Sequence, residues 1–305
     1  MELYFLGTGA GIPSKQRNVS AAALRFFNDQ GSTWLFDCGE ATQHQILYTP
    51  LKLSKIDKIF ITHLHGDHIY GLPGVLGSRS FQGTETPLTL FGPKGLKDFV
   101  QTSLSVSGTF LRYRLEVVEV EDGAVFKERN TVIKVKKLVH GIPSFGYRIE
   151  EENQAGSLQV DKLKALGVPP GPLYGQLKEG KQIQLEDGRF INGKDFLGPC
   201  KKGRKIAVLG DTRYTEAAIE LAKDVDVLVH EATFGAHEQE LAHQYYHSTS
   251  VQAAKVAKMA EASSLILTHI SSRYGENADR LLNEAKEQFV NTYLAKDLWS
   301  YSIQP

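Results

Sequence analysis

The sequence predicts a mixed α/β (α+β) protein, and three observations carry that expectation. Short apolar runs ended by glycine or polar residues dominate residues 1–150, strand-like and helix-like segments alternate after residue 205, and a polar Gly- and Pro-rich stretch stands between them. Two strand-rich halves with helices on their outer faces suggest a four-layer αβ/βα sandwich. Periodicity alone does not separate that arrangement from other α/β layouts.

Strands are expected at residues 3–6, 22–27, 33–36 and 58–62, where Leu, Ile, Val and Phe cluster in short runs. Residues 41–48 and 71–80 read as helices on either side of a histidine-rich segment, and 96–105 as a third. Further strands are expected at 88–91, 115–120, 132–139 and 145–149. Residues 151–202 break the rhythm around GVPPGPLYGQLKEGK. Prolines exclude a regular central strand there, and so long a structureless loop is uncommon unless functional or disordered. The expectation is a flexible protruding arm inserted into a single domain spanning residues 1–305. Beyond it, strands at 205–209, 225–229 and 265–268 alternate with helices at 216–222, 250–260 and 278–289, and a closing strand is expected at 298–303.

The chain has 305 residues, 41% hydrophobic and 23% charged, which is globular composition. No stretch approaches the roughly 18 apolar residues of a membrane span, and the start MELYFLGTG has no signal-peptide pattern. A cytoplasmic protein without a membrane partner is expected. Cys38 and Cys200 are too few for a disulfide framework or a cysteine metal cage. The formal net charge is zero, so any nucleic-acid contact must use local patches such as Lys134, Lys136 and Lys137, or Lys201, Lys202, Arg204 and Lys205. Taken alone, each patch reads equally well as a solvated strand face or loop.

The strongest local signal is THLHGDH, which sets His63, His65, Asp67 and His68 directly after the apolar run IDKIFI. Imidazole nitrogen and carboxylate oxygen in one short segment suit Zn²⁺ or a similar divalent ion. Three later residues share the context of a ligand type following an apolar strand: His140 after VIKVKKLV, Asp211 after KIAVLG and His269 after SLILT. Strand ends on one sheet edge converge on a common cleft, so distant segments can complete one site. Seven such ligands make sense as two ions bridged by a carboxylate, which lower the pKa of a water between them and neutralise phosphoryl or acyl charge. The resulting hydroxide needs no serine or cysteine nucleophile.

These residues resemble the metallo-β-lactamase superfamily, whose HxHxDH signature is present without substitution. The resemblance implies the αββα fold and two Zn²⁺ per chain, with His63, His65 and His140 on one ion, Asp67, His68 and His269 on the other, and Asp211 bridging. Further segments are similar to motifs of the ribonuclease Z family: PSKQRN (residues 13–18) to its PxKxRN loop, HEATF (230–234), HST (247–249), SSRY (271–274), and the GP-rich arm. Singly, each reads as well as a polar turn, a residue beyond a strand or a helix start; in family order they span nearly the whole chain.

What this second resemblance implies is a zinc-dependent endoribonuclease that removes the 3′ trailer of precursor tRNA, leaving a 3′-hydroxyl on the tRNA and a 5′-phosphate on the trailer. It implies Asp67 as ligand and proton acceptor, His247 as proton donor to the leaving oxygen, and Glu231 as the residue holding His247. Lys15, Arg17, Asn18, Thr233 and Arg273 would bind the RNA end. Gly167, Gly171, Pro172 and Gly175 of the arm would approach tRNA, and the enzyme would be a homodimer. The alternative is a related phosphodiesterase or esterase of small substrates, which loss of the arm would favour. His44, His237 and His243 are left as structural or exposed.

Overall fold

The computed structural model describes residues 1–27, 31–128, 130–185 and 187–304. It forms two compact units, the larger comprising Met1–Ile149 with Lys205–Gln304 and the smaller Glu150–Arg204. The first half of the chain runs through β1 (Glu2–Gly7), β2 (Gly9–Ala10), β3 (Ala21–Arg25), β4 (Thr33–Phe36), α1 (Thr42–Ile46), β5 (Ile56–Phe60), α2 (Gly66–Ile69), α3 (Leu72–Phe81), β6 (Leu88–Gly92), α4 (Leu96–Val106), β7 (Leu115–Glu119), β8 (Val125–Glu128), β9 (Thr131–Leu138) and β10 (Ser144–Glu151). The smaller unit holds α5 (Val160–Ala165), α6 (Pro172–Lys178), β11 (Gln182–Gln184) and β12 (Phe190–Asn192). The chain continues through β13 (Lys205–Val208), α7 (Glu216–Leu221), β14 (Val227–Glu231), α8 (Gln239–Gln244), α9 (Ser250–Met259), β15 (Leu265–Thr268), β16 (Ile270–Ser271), α10 (Asp279–Lys286), β17 (Thr292–Leu294) and β18 (Ser300–Ser302).

One seven-stranded sheet has the order β18-β1-β3-β4-β5-β6-β7, the other β17-β15-β14-β13-β10-β9-β8. Strands β4 to β7 pair in parallel, as do β13, β14, β15 and β17. Parallel pairing brings the carboxyl ends of neighbouring strands to one sheet edge, the setting in which ligands bind in open α/β sheets.

Side chains alternate between two environments with the period of a strand. Leu3 and Phe5, Trp34 and Phe36, Val227 and Val229 enter the core between the sheets, whereas Tyr4 and Leu6, Leu35 and Leu228 pack outward. At the centre Phe60 stacks between Phe36 and Phe91, with ring centroids 5.1 and 5.0 Å away. Outside, Val75 and Leu76 of α3 and Leu96 of α4 cover the first sheet, and Ala253, Ala257 and Leu281 of α9 and α10 cover the second. Helix, sheet, sheet and helix are the four layers expected.

The structure departs from the expected elements where tertiary pairing decides. Strand β5 ends at Phe60, because the amide of Thr62 donates to Asp37 Oδ1 at 2.7 Å and takes the chain out of the ladder. Asp67 and His68 lie on the helical turn α2 and not in a loop. Strands β8 and β17 and helix α8 were not expected, being short and weakly patterned. Closing strand β18 joins the first sheet, antiparallel to β1.

The smaller unit is not structureless. Leu163, Val168, Leu177, Ile183 and Ile191 form a small core of its own, and Pro172 starts α6, where its missing N–H is no loss. Its base is a paired stalk: Gln154 and Lys201 exchange two backbone hydrogen bonds of 2.9 Å, and Arg204 Nε donates to Glu151 Oε2 at 2.6 Å. In the larger unit, fully buried Tyr147 ties the second sheet to the first by donating its hydroxyl to the Ile61 carbonyl at 2.7 Å. Tyr147→Phe should therefore cost about 1–3 kcal/mol, the carbonyl being left buried without its donor. Urea unfolding of the variant checks this; an unchanged midpoint would show the bond to be dispensable.

Candidate metal centre and active site

The seven expected ligands come from the turns after four strands. His63 and His65 follow β5, Asp67 and His68 lie on α2, His140 follows β9, Asp211 follows β13 and His269 follows β15. Backbone packing fixes the α2 turn. Cys38 N donates to the His68 carbonyl at 2.7 Å, and a Cβ on Gly39 would come within 2.3 Å of the Asp67 carbonyl oxygen, so only glycine fits. His269 is held at φ 56°, a left-handed conformation for a non-glycine residue, while the next amide, Ile270 N, bonds to the Thr8 carbonyl at 2.8 Å.

Their donor atoms converge. Asp211 Oδ2 lies 3.3 Å from His269 Nε2, 3.6 Å from His68 Nε2 and 3.7 Å from His63 Nε2. Asp67 Oδ2 is 3.4 Å from both His68 Nε2 and His269 Nε2, and His65 Nδ1 is 3.2 Å from His140 Nε2. The candidate groups are His63 with His65 and His140, Asp67 with His68 and His269, and Asp211 with His63 and His68, and His247 joins two more, with His140 and Asp211 and with Glu231 and His269. Asp211 thus stands between the two sets.

The donor chemistry fits divalent cations. His63 Nε2 is buried and has no hydrogen-bond partner, a costly state for a polar atom that a cation would relieve. Burial, the largest influence, also holds the His63 pKa well below its ordinary value, so the ring stays neutral with a lone pair to give. At Asp67 burial opposes ionisation, but contacts with His269 and His68 outweigh it and hold the carboxyl well below the usual range.

In four of the five imidazoles the other ring nitrogen is held by oxygen, as in metal sites where a hydrogen bond fixes the tautomer. His68 Nδ1 bonds to Asp37 Oδ2 at 2.8 Å and His140 Nδ1 to the Tyr246 carbonyl at 3.0 Å. The other two are held through threonine. Thr62 Oγ1 donates to Asp37 Oδ2 at 2.9 Å and meets His63 Nδ1 at 3.0 Å; Thr233 Oγ1 donates to Glu231 Oε2 at 2.8 Å and meets His269 Nδ1 at 2.8 Å. Each sheet thus supplies one carboxylate–threonine–histidine relay. Asp37 and Thr62 were missed in the sequence, although Asp37 stands directly after the apolar run TWLF, the context that marked His140, Asp211 and His269.

Glu231 does more than hold one histidine. Its Oε1 accepts from His247 Nδ1 at 3.0 Å and Ser248 N at 2.9 Å, its Oε2 from Thr233 N at 3.0 Å. Burial would lower the His247 pKa, but the Glu231 carboxylate overcomes it and raises the value to about 9. Glu231 thus favours the protonated form of His247. Thr249, two residues on, caps α9 by accepting from Gln252 N, which fixes where the chain enters the helix. His230 is fully buried, with Nδ1 2.7 Å from the Glu231 carbonyl, so HEATF is no surface segment.

The expected RNA-binding residues divide. Lys15 is exposed, but Arg17 and Asn18 turn inward: Arg17 Nη1 donates to Thr8 Oγ1 at 2.6 Å and the Ala295 carbonyl at 2.7 Å, and Asn18 Nδ2 to the Glu40 carbonyl at 2.7 Å. These two brace the loop. Its amide at Gly11 donates to Asp67 Oδ2 at 2.8 Å, a link the sequence did not suggest. Thr233 lines the cleft, with its hydroxyl already engaged in the Glu231 relay. Arg273 lines the cleft, with its guanidinium 4.9 Å from the Phe234 ring centroid and paired to Glu238 at 3.1 Å. Gly167, Gly171, Pro172 and Gly175 lie in the smaller unit; Gly167 needs its left-handed φ of 82°, whereas side chains at Gly171 and Gly175 would meet open space.

If the relays serve a metal, Thr62→Val and Thr233→Val, which keep shape and remove the hydroxyl, should each weaken zinc affinity about 10- to 100-fold. Chelator competition measures this. Unchanged affinity in both variants would show that the threonines serve packing alone.

Comparison with known proteins places this geometry in a family. Residues 1–155 match the family model described as Anti-Pycsar protein Apyc1, and residues 196–270 match the β-lactamase superfamily domain. Ribonuclease Z from Geobacillus kaustophilus (strain HTA426) is 60% identical over 304 residues, covering 99% of each chain. Ribonuclease Z from Bacillus cereus (strain G9842) is 60% identical over 306 residues, covering all of both. The crystal structure of human tRNase Z, short form, is 32% identical, with a TM-score of 0.73 over the full length of both chains. By identity sustained along its whole length, and by a donor set assembled on the shared β-lactamase fold, the chain belongs to the ribonuclease Z family.

Proposed function

We propose that this chain is a metal-dependent endoribonuclease that removes the 3′ trailer from precursor tRNA. One observation carries it: in a chain of the ribonuclease Z family, a cleft of about 350 Å³ is lined by His65, Asp67, Asp211 and His269 of the donor set together with the Glu231-held His247. The cleavage expected leaves a 3′-hydroxyl on the tRNA and a 5′-phosphate on the trailer.

Seven residues would hold the ions: His63, His65 and His140 for one, Asp67, His68 and His269 for the other, and Asp211 for both. Zinc suits this nitrogen and oxygen set. Two bound divalent ions supply activation of water and neutralisation of charge on the phosphoryl oxygens. Asp67, anchored by the Gly11 amide, orients the attacking water and accepts its proton. His247 keeps Nδ1 on Glu231, which leaves Nε2–H to protonate the departing 3′ oxygen. Lys15 and Arg273 are the exposed cations suited to the RNA end.

The smaller unit is read as the tRNA-binding exosite. Gly171 and Gly175, which the fold does not require, give a nucleic-acid backbone close approach to main-chain amides. A homodimer fits the exposed Phe81, Val106 and Phe110, 84–87% accessible on the outer helices and the loop after α4. Among the described residues no helix is long and apolar enough to cross a membrane, in keeping with a cytoplasmic RNA enzyme.

His247→Ala should keep its metal and lose about 10²- to 10⁴-fold on precursor tRNA. A nitrophenyl phosphodiester, whose leaving group departs as a stable anion, should be hurt far less. Equal damage to both substrates, or loss of metal, would make the residue structural or ligating.

The stalk gives a clean way to remove the exosite. Replacing residues 155–200 by a short glycine linker keeps the Gln154 and Lys201 pair. Precursor tRNA processing should then disappear while nitrophenyl phosphodiester hydrolysis and metal content stay. Joint loss of both activities in a folded, metal-loaded protein would refute a separate exosite.

A further inference from the structure

The cleft has two unlike walls. One carries the ligand carboxylates and imidazoles; the other is Phe234, Leu241 and Tyr245, with Arg273 at its rim. Phosphoryl chemistry uses the first wall, and nothing in that chemistry calls for the second.

The second wall is built stiffly. Arg213 Nε donates to the His243 carbonyl at 2.6 Å, and its guanidinium lies 3.7 Å from the Tyr246 ring centroid. Tyr246, in the left-handed region at φ 61°, turns its carbonyl to His140 Nδ1, and His247 N donates to the Ala242 carbonyl at 2.8 Å. The segment that places a metal-ligand histidine and the acid His247 therefore also places Tyr245. That side chain is 56% exposed, and among the described residues no ring or cation stacks on it. An exposed aromatic face, on a backbone fixed by the same segment and lining a phosphodiester site, suits a nucleobase, since every base offers a π face.

Resting on the proposed reaction, we infer that Tyr245, backed by Leu241 and Phe234, is the stacking platform for the nucleobase immediately 5′ of the scissile bond. Polarity selects that base over its 3′ neighbour. The proton from His247 goes to the 3′ oxygen of the nucleotide retained on the tRNA, and His247 lies beside the wall, its ring centroid 6.0 Å from that of Phe234. The nucleotide that owns the leaving oxygen thus sits on the Tyr245 side. Such a platform senses that a base is present and favours the larger purine surface, without reading a hydrogen-bond pattern.

The test uses the metal-loaded full chain and three precursor tRNAs: intact, abasic immediately 5′ of the cut, and abasic immediately 3′ of it. With the wild type, the 5′ abasic substrate should lose about tenfold or more in kcat/KM and the 3′ abasic one much less. Tyr245→Ala should lose about as much on the intact substrate and no more on the 5′ abasic one, while Tyr245→Phe stays near wild type on all three. Losses from Tyr245→Ala and the 5′ abasic site that multiply, coupling to the 3′ abasic site instead, or an unaffected Tyr245→Ala would each overturn the inference. A metal-loaded wild type that leaves intact precursor uncut would overturn the proposed reaction, a separate result seen before any variant is made.

Discussion

The site depends on two buried carboxylates, Asp37 from the first sheet and Glu231 from the second. Each holds one histidine directly, His68 or His247, and a second through a threonine hydroxyl, His63 or His269. A buried carboxylate is tolerable only when its oxygens are satisfied, and here amides, hydroxyls and imidazoles satisfy them. The same bonds fix which ring nitrogen faces the cleft. Cation binding and proton donation therefore share one set of supports, and neither sheet can move without disturbing both.

Those supports need a stiff bed. The stacked Phe36, Phe60 and Phe91 and the Tyr147 tie keep the sheets in register next to the segment after β5 that carries His63 to His68. The left-handed backbone at Asp37 and His269 can persist because neighbouring strands hold each end, the Asp37 amide by the Phe60 carbonyl at 2.8 Å. Strain placed at ligand positions is acceptable when packing elsewhere over-determines it.

The inserted unit and the donor set are separate parts of the chain. The smaller unit has its own core and none of the candidate ligands, and the larger unit holds the entire donor set. On the proposed exosite reading, this separation lets a chain of zero formal net charge serve a polyanion. Affinity for RNA would be concentrated in local features rather than in a general basic field.

By itself the sequence determined the order of strands and helices and the ligand candidates, because both are local signals: short apolar runs such as LYFL and TWLF, and ligand types directly after such runs; the four-layer plan came with the HxHxDH resemblance. It also carried the family motifs, with HEATF and HST pointing to Glu231 and His247 long before their 3.0 Å contact was visible. Tertiary structure alone decided which polar residues face substrate and which face one another. Arg17 and Asn18, which the family resemblance offered as RNA binders, have as partners Thr8, Ala295 and Glu40, brought close only by folding. The Gly- and Pro-rich insertion hid its small core for a related reason. Its few apolar residues are spaced too irregularly to show a period, and only the paired stalk and the chain's return bring Leu163, Leu177 and Ile191 together.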